Sequence, residues 1–359
     1  MTRRWMHWVP AAVVPVLVGV TGLIGAATAG AAIDLPDKSA AQVLAMVADC
    51  TVTALSGTVE QSSALGLPAL PAGVGAGASG AGGALDLLTG SHTARVYLDG
   101  PTNVRVQVLE QLAERDVVRH ASDVWTYDSS DGTVTHLSIP AAPVGTHVTV
   151  PGEVPTPAEV AGRFLTAIDP STQVTVGGDT PVAGRTAYDL VLTPRAEDTL
   201  IGSVSIAVDS ETGLPLRVQV MARGATKPAF TVGFTALSLV TPPAALFDFT
   251  PPAGATIHQQ TLPERAAKPA SPSPTGTVSG SFASAPTTSG SGWSTVVRLP
   301  AGALPNAITT SPLLGELTHA VTGGRALTTS LVSVLLAPDG TVLVGAVPVS
   351  RLEAVAAGR

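Results

Sequence analysis

A single cysteine, Cys50, stands in 359 residues, so no disulfide closes within the chain and no thiolate cluster can be built from it. It follows a helical stretch, where a lone Cys reads as a small buried hydrophobe. Aromatic residues make up only 4% against 45% hydrophobic, so the core has to be built from Val, Leu and Ala. Charged residues are 13%, the formal net charge is -7, and lysine is confined to Lys38, Lys227 and Lys268. That excludes a nucleic-acid partner, which needs clustered Lys and Arg against phosphate. Catalytic patterns are missing too. No G-x-S-x-G elbow, H-E-x-x-H or P-loop is found, and the seven histidines show no metal-ligand spacing. Neither a cofactor nor enzymatic activity is expected. Arginine in place of lysine, with abundant Ala, Gly and Pro, suggests an actinobacterial source.

What is present is strand pattern. Residues 93–139 read as short strands joined by tight turns. Val104, Val106 and Val108 alternate with Arg105, Gln107 and Leu109, a period of two. Turn chemistry at Asp99-Gly100, Ala121-Ser122-Asp123 and Asp128-Ser129-Ser130-Asp131-Gly132 separates the runs. Asp128 with Asp131, and Asp209 with Glu211, are carboxylate pairs by spacing, but each sits in a turn that favours Asp for backbone reasons alone. His120 and His136 fall in strands and read as sheet-surface residues. A second meander fills 173–249, where Tyr188, Leu190 and Leu192 alternate with Asp189 and Val191. Such meanders form an antiparallel sheet with one apolar and one wet face.

Two short helices accompany the strands. Asp37-Lys38-Ser39 caps one whose Val43, Met46 and Val47 form an apolar stripe. Thr156-Pro157-Ala158-Glu159 opens the other with a capping box and proline at its first position. Its apolar side is Val160, Phe164, Leu165 and Ile168.

The expected domains run as follows. Residues 1–32 are a signal peptide, with Arg3-Arg4, an uncharged apolar run and small residues ending at Ala29 or Ala32; the alternative is a retained N-terminal membrane anchor. Residues 33–258 form the strand-rich domain, with a Gly-rich mobile loop at 64–84. The G-x-G-x-x-G at Gly75, Gly77 and Gly80 in that loop lacks the strand and helix a dinucleotide site requires. Residues 259–292 are a Pro/Ser-rich disordered linker. Residues 293–357 are a strand, a helix over 312–321 and a hairpin, too small for a core of their own and expected to pack on the main sheet.

Several segments in this order carry a family resemblance. They are Leu55-Ser56-Gly57-Thr58-Val59-Glu60-Gln61, Ser122-Asp123-Val124-Trp125-Thr126-Tyr127-Asp128, Val182 through Leu190, Val208-Asp209 through Gly213-Leu214-Pro215, and Phe247-Asp248-Phe249 through Gly254. Over residues 35–254 the chain resembles the LolA-type lipoprotein carriers, the RseB/MucB regulators and the LprG/LppX lipid carriers. The resemblance implies an α+β, mostly antiparallel fold: an unclosed β half-barrel wrapped over short lid helices around a hydrophobic cavity. It implies a secreted, extracytoplasmic protein at the outer face of the cytoplasmic membrane, binding lipid acyl chains or acylated proteins. The alternative is an RseB-like regulator that holds an anti-sigma factor. Cavity candidates are Val104, Val106, Val108, Trp125, Tyr127, Phe164, Ile168, Tyr188, Leu190, Val218, Phe230, Val232 and Phe234. One departure stands out: the arginine that precedes a proline and restrains the lid in the carriers is replaced here by Gly100 before Pro101.

Overall fold

The computed structural model describes residues 35–67, 90–109, 113–138, 155–261, 286–302 and 312–358. The expected leader, most of the Gly-rich loop and residues 262–285 of the expected linker lie outside the described residues.

The first helix, α1 (Ala40–Ala48), begins where Ser39 caps the amide of Gln42 while the Gln42 side chain returns to the Ser39 amide. This reciprocal pair satisfies two amides that a helix start leaves without partners. Seven strands follow in a ladder: β1 (Ala54–Ser63), β2 (Gly90–Asp99), β3 (Asn103–Leu109), β4 (Glu114–His120), β5 (Asp123–Asp128) and β6 (Thr133–Ser138), with β13 (Thr256–Thr261) joining β6 in parallel. The turn aspartates act as their positions predict. Asp128 accepts the Ser130 amide and Asp131 the Thr133 amide.

Helix α2 (Pro157–Thr166) carries the expected box, Thr156 with Glu159. The second meander is β7 (Thr172–Val176), β8 (Thr180–Val182), β9 (Arg185–Pro194), β10 (Ile201–Asp209), β11 (Pro215–Ala222) and β12 (Pro228–Ser238). Strand β12 pairs with β1, so the two meanders make one sheet in the order β13-β6-β5-β4-β3-β2-β1-β12-β11-β10-β9-β7, with β8 on β9. The sheet is unclosed and, apart from β13, antiparallel, as an open half-barrel requires.

The C-terminal part departs from expectation in four ways. Strand β13 runs three residues into the stretch read as linker, and Thr287–Ser289 (β14) is a strand near its other end. The helix expected over 312–321 stops early: α3 spans Pro312–Leu317, and His319–Val321 (β16) is a strand. Trp293 lies in a 3₁₀ turn (Gly292–Ser294) ahead of β15 (Val296–Leu299). Finally, β17 (Gly324–Thr328), β18 (Ser333–Leu336), β19 (Val342–Gly345) and α4 (Val349–Ala356) complete a six-stranded sheet, β14-β15-β19-β18-β17-β16, backed by a helix. This sheet has a core of its own, in which Val296, Ala326, Leu335, Leu343, Val347 and Leu352 are fully buried. Short strands of alternating Val and Leu, individually weak as signals, together shield enough apolar area for that.

Candidate ligand-binding face

Side chains alternate between the faces of a strand, and directly opposed residues of a ladder share a face. The register therefore maps the large sheet. Val104, Val106 and Val108 oppose Leu98, Val96 and Ala94. Ala94 opposes Val59 across β1, and Val59 opposes Phe234 across β12. On the same face, Val232 meets Val218, Val218 meets Ile206, and Ile206 meets Leu190. Val208 meets Tyr188 one step further along. One largely apolar face thus runs from β3 to β9, interrupted on β1 by the buried Gln61 opposite Val232, and most of its residues are buried.

Two positions show how tightly this face is made. The register slips by one residue between Thr58 and Val59, a bulge beside Gly57. A Cβ on Gly57 would stand 2.8 Å from the Phe234 ring, so the missing side chain lets that ring lie across β1. At the β10–β11 turn, Gly213 has φ +74 and packs against the Met46 carbonyl of α1. Any side chain there would be strained and would collide with α1.

Helix α1 packs on β7 and β9, and α2 on β11 and β12. The Lys38 ammonium, just before α1, lies 5.7 Å from the centre of the Tyr188 ring, which places the helix start over the apolar face. Burial holds the Tyr188 hydroxyl above its ordinary pKa, with the negative charges of Asp179 and Asp37 adding to the effect. On α2, Phe164 stacks on Trp293 at 6.2 Å. The indole Nε1 of Trp293 donates to Thr172 Oγ1 at 2.8 Å, and Thr172 belongs to the apolar face through its neighbour Val174, opposed to Leu192.

Of the thirteen candidate residues, nine share this face: Val104, Val106, Val108, Tyr188, Leu190, Val218, Phe230, Val232 and Phe234. Phe164 and Ile168 stand on α2 and just beyond it, both half-buried. Trp125 and Tyr127 do not join them. They oppose Val118 and Asp116, whose own partners, Arg105 and Gln107, point away from Val104, Val106 and Val108. A pairing register one residue long decides this, and strand periodicity cannot reveal it.

The opposite face at Trp125 has its own packing. Trp125 stacks on His136 at 3.9 Å and on Phe249 at 5.5 Å. His136 Nε2 is 2.8 Å from an Asp123 carboxylate oxygen, and His120 Nδ1 is 3.4 Å from Asp248. His120, Asp123, Trp125, Asp248 and Phe249, with Phe247, line a hollow of about 320 Å³. Beneath it, Arg105 makes a two-point contact with Asp116, at 2.6 and 3.2 Å, and donates to the Leu246 carbonyl. Burial pushes the Asp116 carboxyl above its ordinary pKa, against the pull of Arg105.

Asp209 is more than a turn former. It accepts two bonds from Arg185, at 2.7 and 2.9 Å, as well as the Thr212 amide and hydroxyl. Burial would raise its pKa, but these bonds together hold it below the ordinary value. Glu211 adds a second contact to Arg185.

The sequence pattern missed the role of Trp293, which it placed at the start of a strand. A lone tryptophan between Gly292 and Ser294, in a chain with so few aromatics, is the signal that was there to find. Among the described residues, no group of three or more His, Cys, Asp or Glu is placed to hold a metal, and no helix is long and apolar enough to cross a membrane.

By architecture the protein is an open antiparallel half-barrel whose apolar face is covered by short helices. Within that class, residues 91–245, from β2 to the segment after β12, match the sequence model of the MucB/RseB N-terminal domain. No curated protein sequence matches the chain. Among solved structures, the MucA/MucB complex of Pseudomonas aeruginosa is similar at 18% identity, covering 88% of this chain and 96% of that one, with a TM-score of 0.43. LprF of Mycobacterium bovis is similar at 12% identity over 61% of this chain and 100% of that one, TM-score 0.31. A LolA superfamily protein of Nitrosomonas europaea is similar at 12% identity over 59% and 99%, TM-score 0.26.

Proposed function

We propose that the protein is a non-enzymatic, extracytoplasmic binder of lipid acyl chains or acylated proteins, acting as a carrier or sensor at the outer face of the cytoplasmic membrane. The observation that carries this reading is the largely apolar face from β3 to β9, shared by nine of the candidate residues, with α1 and α2 packed on it. Two helices of 9 and 10 residues are a short cover for strands of eight to eleven residues from β9 to β12. Acyl chains bind where a concave apolar surface can be uncovered and filled without opening a polar core. The absence of a catalytic motif from the sequence fits a binding role. Native mass spectrometry and organic extraction of protein purified from its own envelope test the reading. A stoichiometric acylated species is expected, and protein that stays lipid-free and takes up no fatty-acid probe would remove it.

A second reading has its own support. The family match is to a domain named for the MucB/RseB regulators, which favours a protein that holds an anti-sigma factor. The full chain should then retain the extracytoplasmic segment of an anti-sigma factor encoded beside it. Failure to capture that segment at micromolar concentration would leave the carrier role alone.

A further inference from the structure

The two cover helices are anchored differently. Helix α1 is held by the large sheet itself, through Lys38 on Tyr188 and the Met46 carbonyl against Gly213. Helix α2 is held at its C-terminal end by the other sheet. Phe164 stacks on Trp293, with ring planes 18° apart. The Trp293 indole is fixed from below by Thr172, a side chain only 7% exposed. Gly292, at φ +53, packs so closely on the turn after α2 that a Cβ there would lie 2.5 Å from Ser171 Oγ and 2.9 Å from Asp169. Ser294 donates to Asp198 at 2.6 Å. Immediately after this turn the chain becomes β15, whose Val296 is in the core of the six-stranded sheet.

The geometry points to the 292–294 turn as a clamp, in which Trp293 holds α2 down on the apolar face and ties its position to the six-stranded sheet. Trp293 acts here as a positioning residue. The clamp rests on the proposed binding role for its purpose, but its mechanics do not depend on that role. A ligand that lifts α2 must break the Phe164–Trp293 stack. Any surface of the six-stranded sheet that grips a partner therefore feels whether the face is occupied. Coupling of this kind is reciprocal: what tightens the turn also resists loading. The docking of the two sheets elsewhere keeps the clamp from drifting. The Leu200 amide and Thr199 hydroxyl both donate to the Ala346 carbonyl, and the Ser330 amide donates to the Leu65 carbonyl. The sheets stay attached through these hydrogen bonds while the clamp opens.

Hydrogen exchange on the full chain tests the clamp directly. Trp293→Ala removes one aromatic stack and one indole hydrogen bond, so amides of 158–166 should exchange about tenfold faster while those of β9–β12 keep their protection. Trp293→Phe keeps the stack and loses the bond, and should fall between. Phe164→Leu, made from the other side, should reproduce the acceleration and guards against damage to the six-stranded sheet. Unchanged exchange of 158–166 in folded Trp293→Ala and Phe164→Leu would overturn the clamp. The same variants mixed with a dansylated undecanoic acid should load several-fold faster than the parent. A parent that binds none of this probe removes the binding role, and the exchange rates then decide the clamp independently.

Discussion

The two meanders of the large sheet each bury an Arg–Asp pair in almost the same geometry, yet the two pairs do opposite things. At the β9–β10 end, Arg185 grips Asp209; at the β3–β4 end, Arg105 grips Asp116. The two aspartates are 1% and 3% exposed. Asp209 is nevertheless held below its ordinary pKa and Asp116 above it. The difference is in the remaining lone pairs. Asp209 also accepts the amide and hydroxyl of Thr212, whereas Asp116 has the negative charge of Glu114 nearby. Two charges brought together do not by themselves offset the loss of water; the further hydrogen bonds decide. The packing differs in parallel. The β9–β12 end has its large buried apolar side chains on one face, under α1 and α2, and small ones such as Ala187 and Ala207 on the other. The β4–β6 end buries Val117 and Val124 on one face, and Val118 and Val134 on the other.

Mutations can break this comparison at several strengths. The largest effect is expected from Gly213→Ala, which forces a side chain into a left-handed turn and against α1. A loss of about 4 kcal/mol in chemical denaturation is expected, and a loss below about 1 would mean that α1 does not lean on that turn. Next, Leu190→Ala on the covered face should cost about 3 kcal/mol. Thr126→Ala, on the same face but at the β5 end, should stay within about 0.5 kcal/mol. Equal costs would show that the face is packed alike along its whole length.

The carboxylates come third. Asp209→Asn should cost about 2–3 kcal/mol at neutral pH, because Arg185 loses its main partner but keeps Glu211. Asp116→Asn should cost about 1 kcal/mol or less. Their pH dependences have opposite sign. A carboxyl whose folded pKa lies below its unfolded value stabilises above the unfolded value, and that contribution is lost as pH falls through the folded one. Asp209→Asn should therefore flatten the acid loss of stability. Asp116 has the raised folded value, so its protonation favours the fold as pH falls through that value, and Asp116→Asn should remove a gain. Urea midpoints measured between neutral and acid pH distinguish the two. The smallest effect is expected from Thr156→Ala, about 1 kcal/mol from loss of the α2 cap, visible as faster exchange in the first turn of that helix.

Much of the fold was legible in local chemistry. Ser39 with Gln42 and Thr156 with Glu159 start helices where side chains can return to free amides, and both helices begin there. Asp-Gly and Ser-Asp turns separate strands, and Asp128 and Asp131 bond the turn amides as such residues do. The six-stranded sheet was hard to see because its strands are three to five residues long. A segment like His319–Val321, read as the tail of a helix, has too few side chains to show a period. The second half of β13 was hidden in the run read as linker for another reason. Thr256–Thr261 pairs in parallel with β6 far back in the chain, and nothing local signals a partner at that distance.

Alternation and turn residues determined, by themselves, that this chain makes long antiparallel meanders with a Val/Leu/Ile face and two capped helices to set against it. Those signals act over two to four residues, the reach of a pleat or a helical turn. Only the tertiary structure decided which residues share the covered face, that Trp125 and Tyr127 look the other way, and that Trp293 comes to rest on Phe164 129 residues away in sequence. Each depends on strand register and on contacts distant in sequence, where a shift of one residue turns a side chain to the opposite face and leaves the local pattern unchanged.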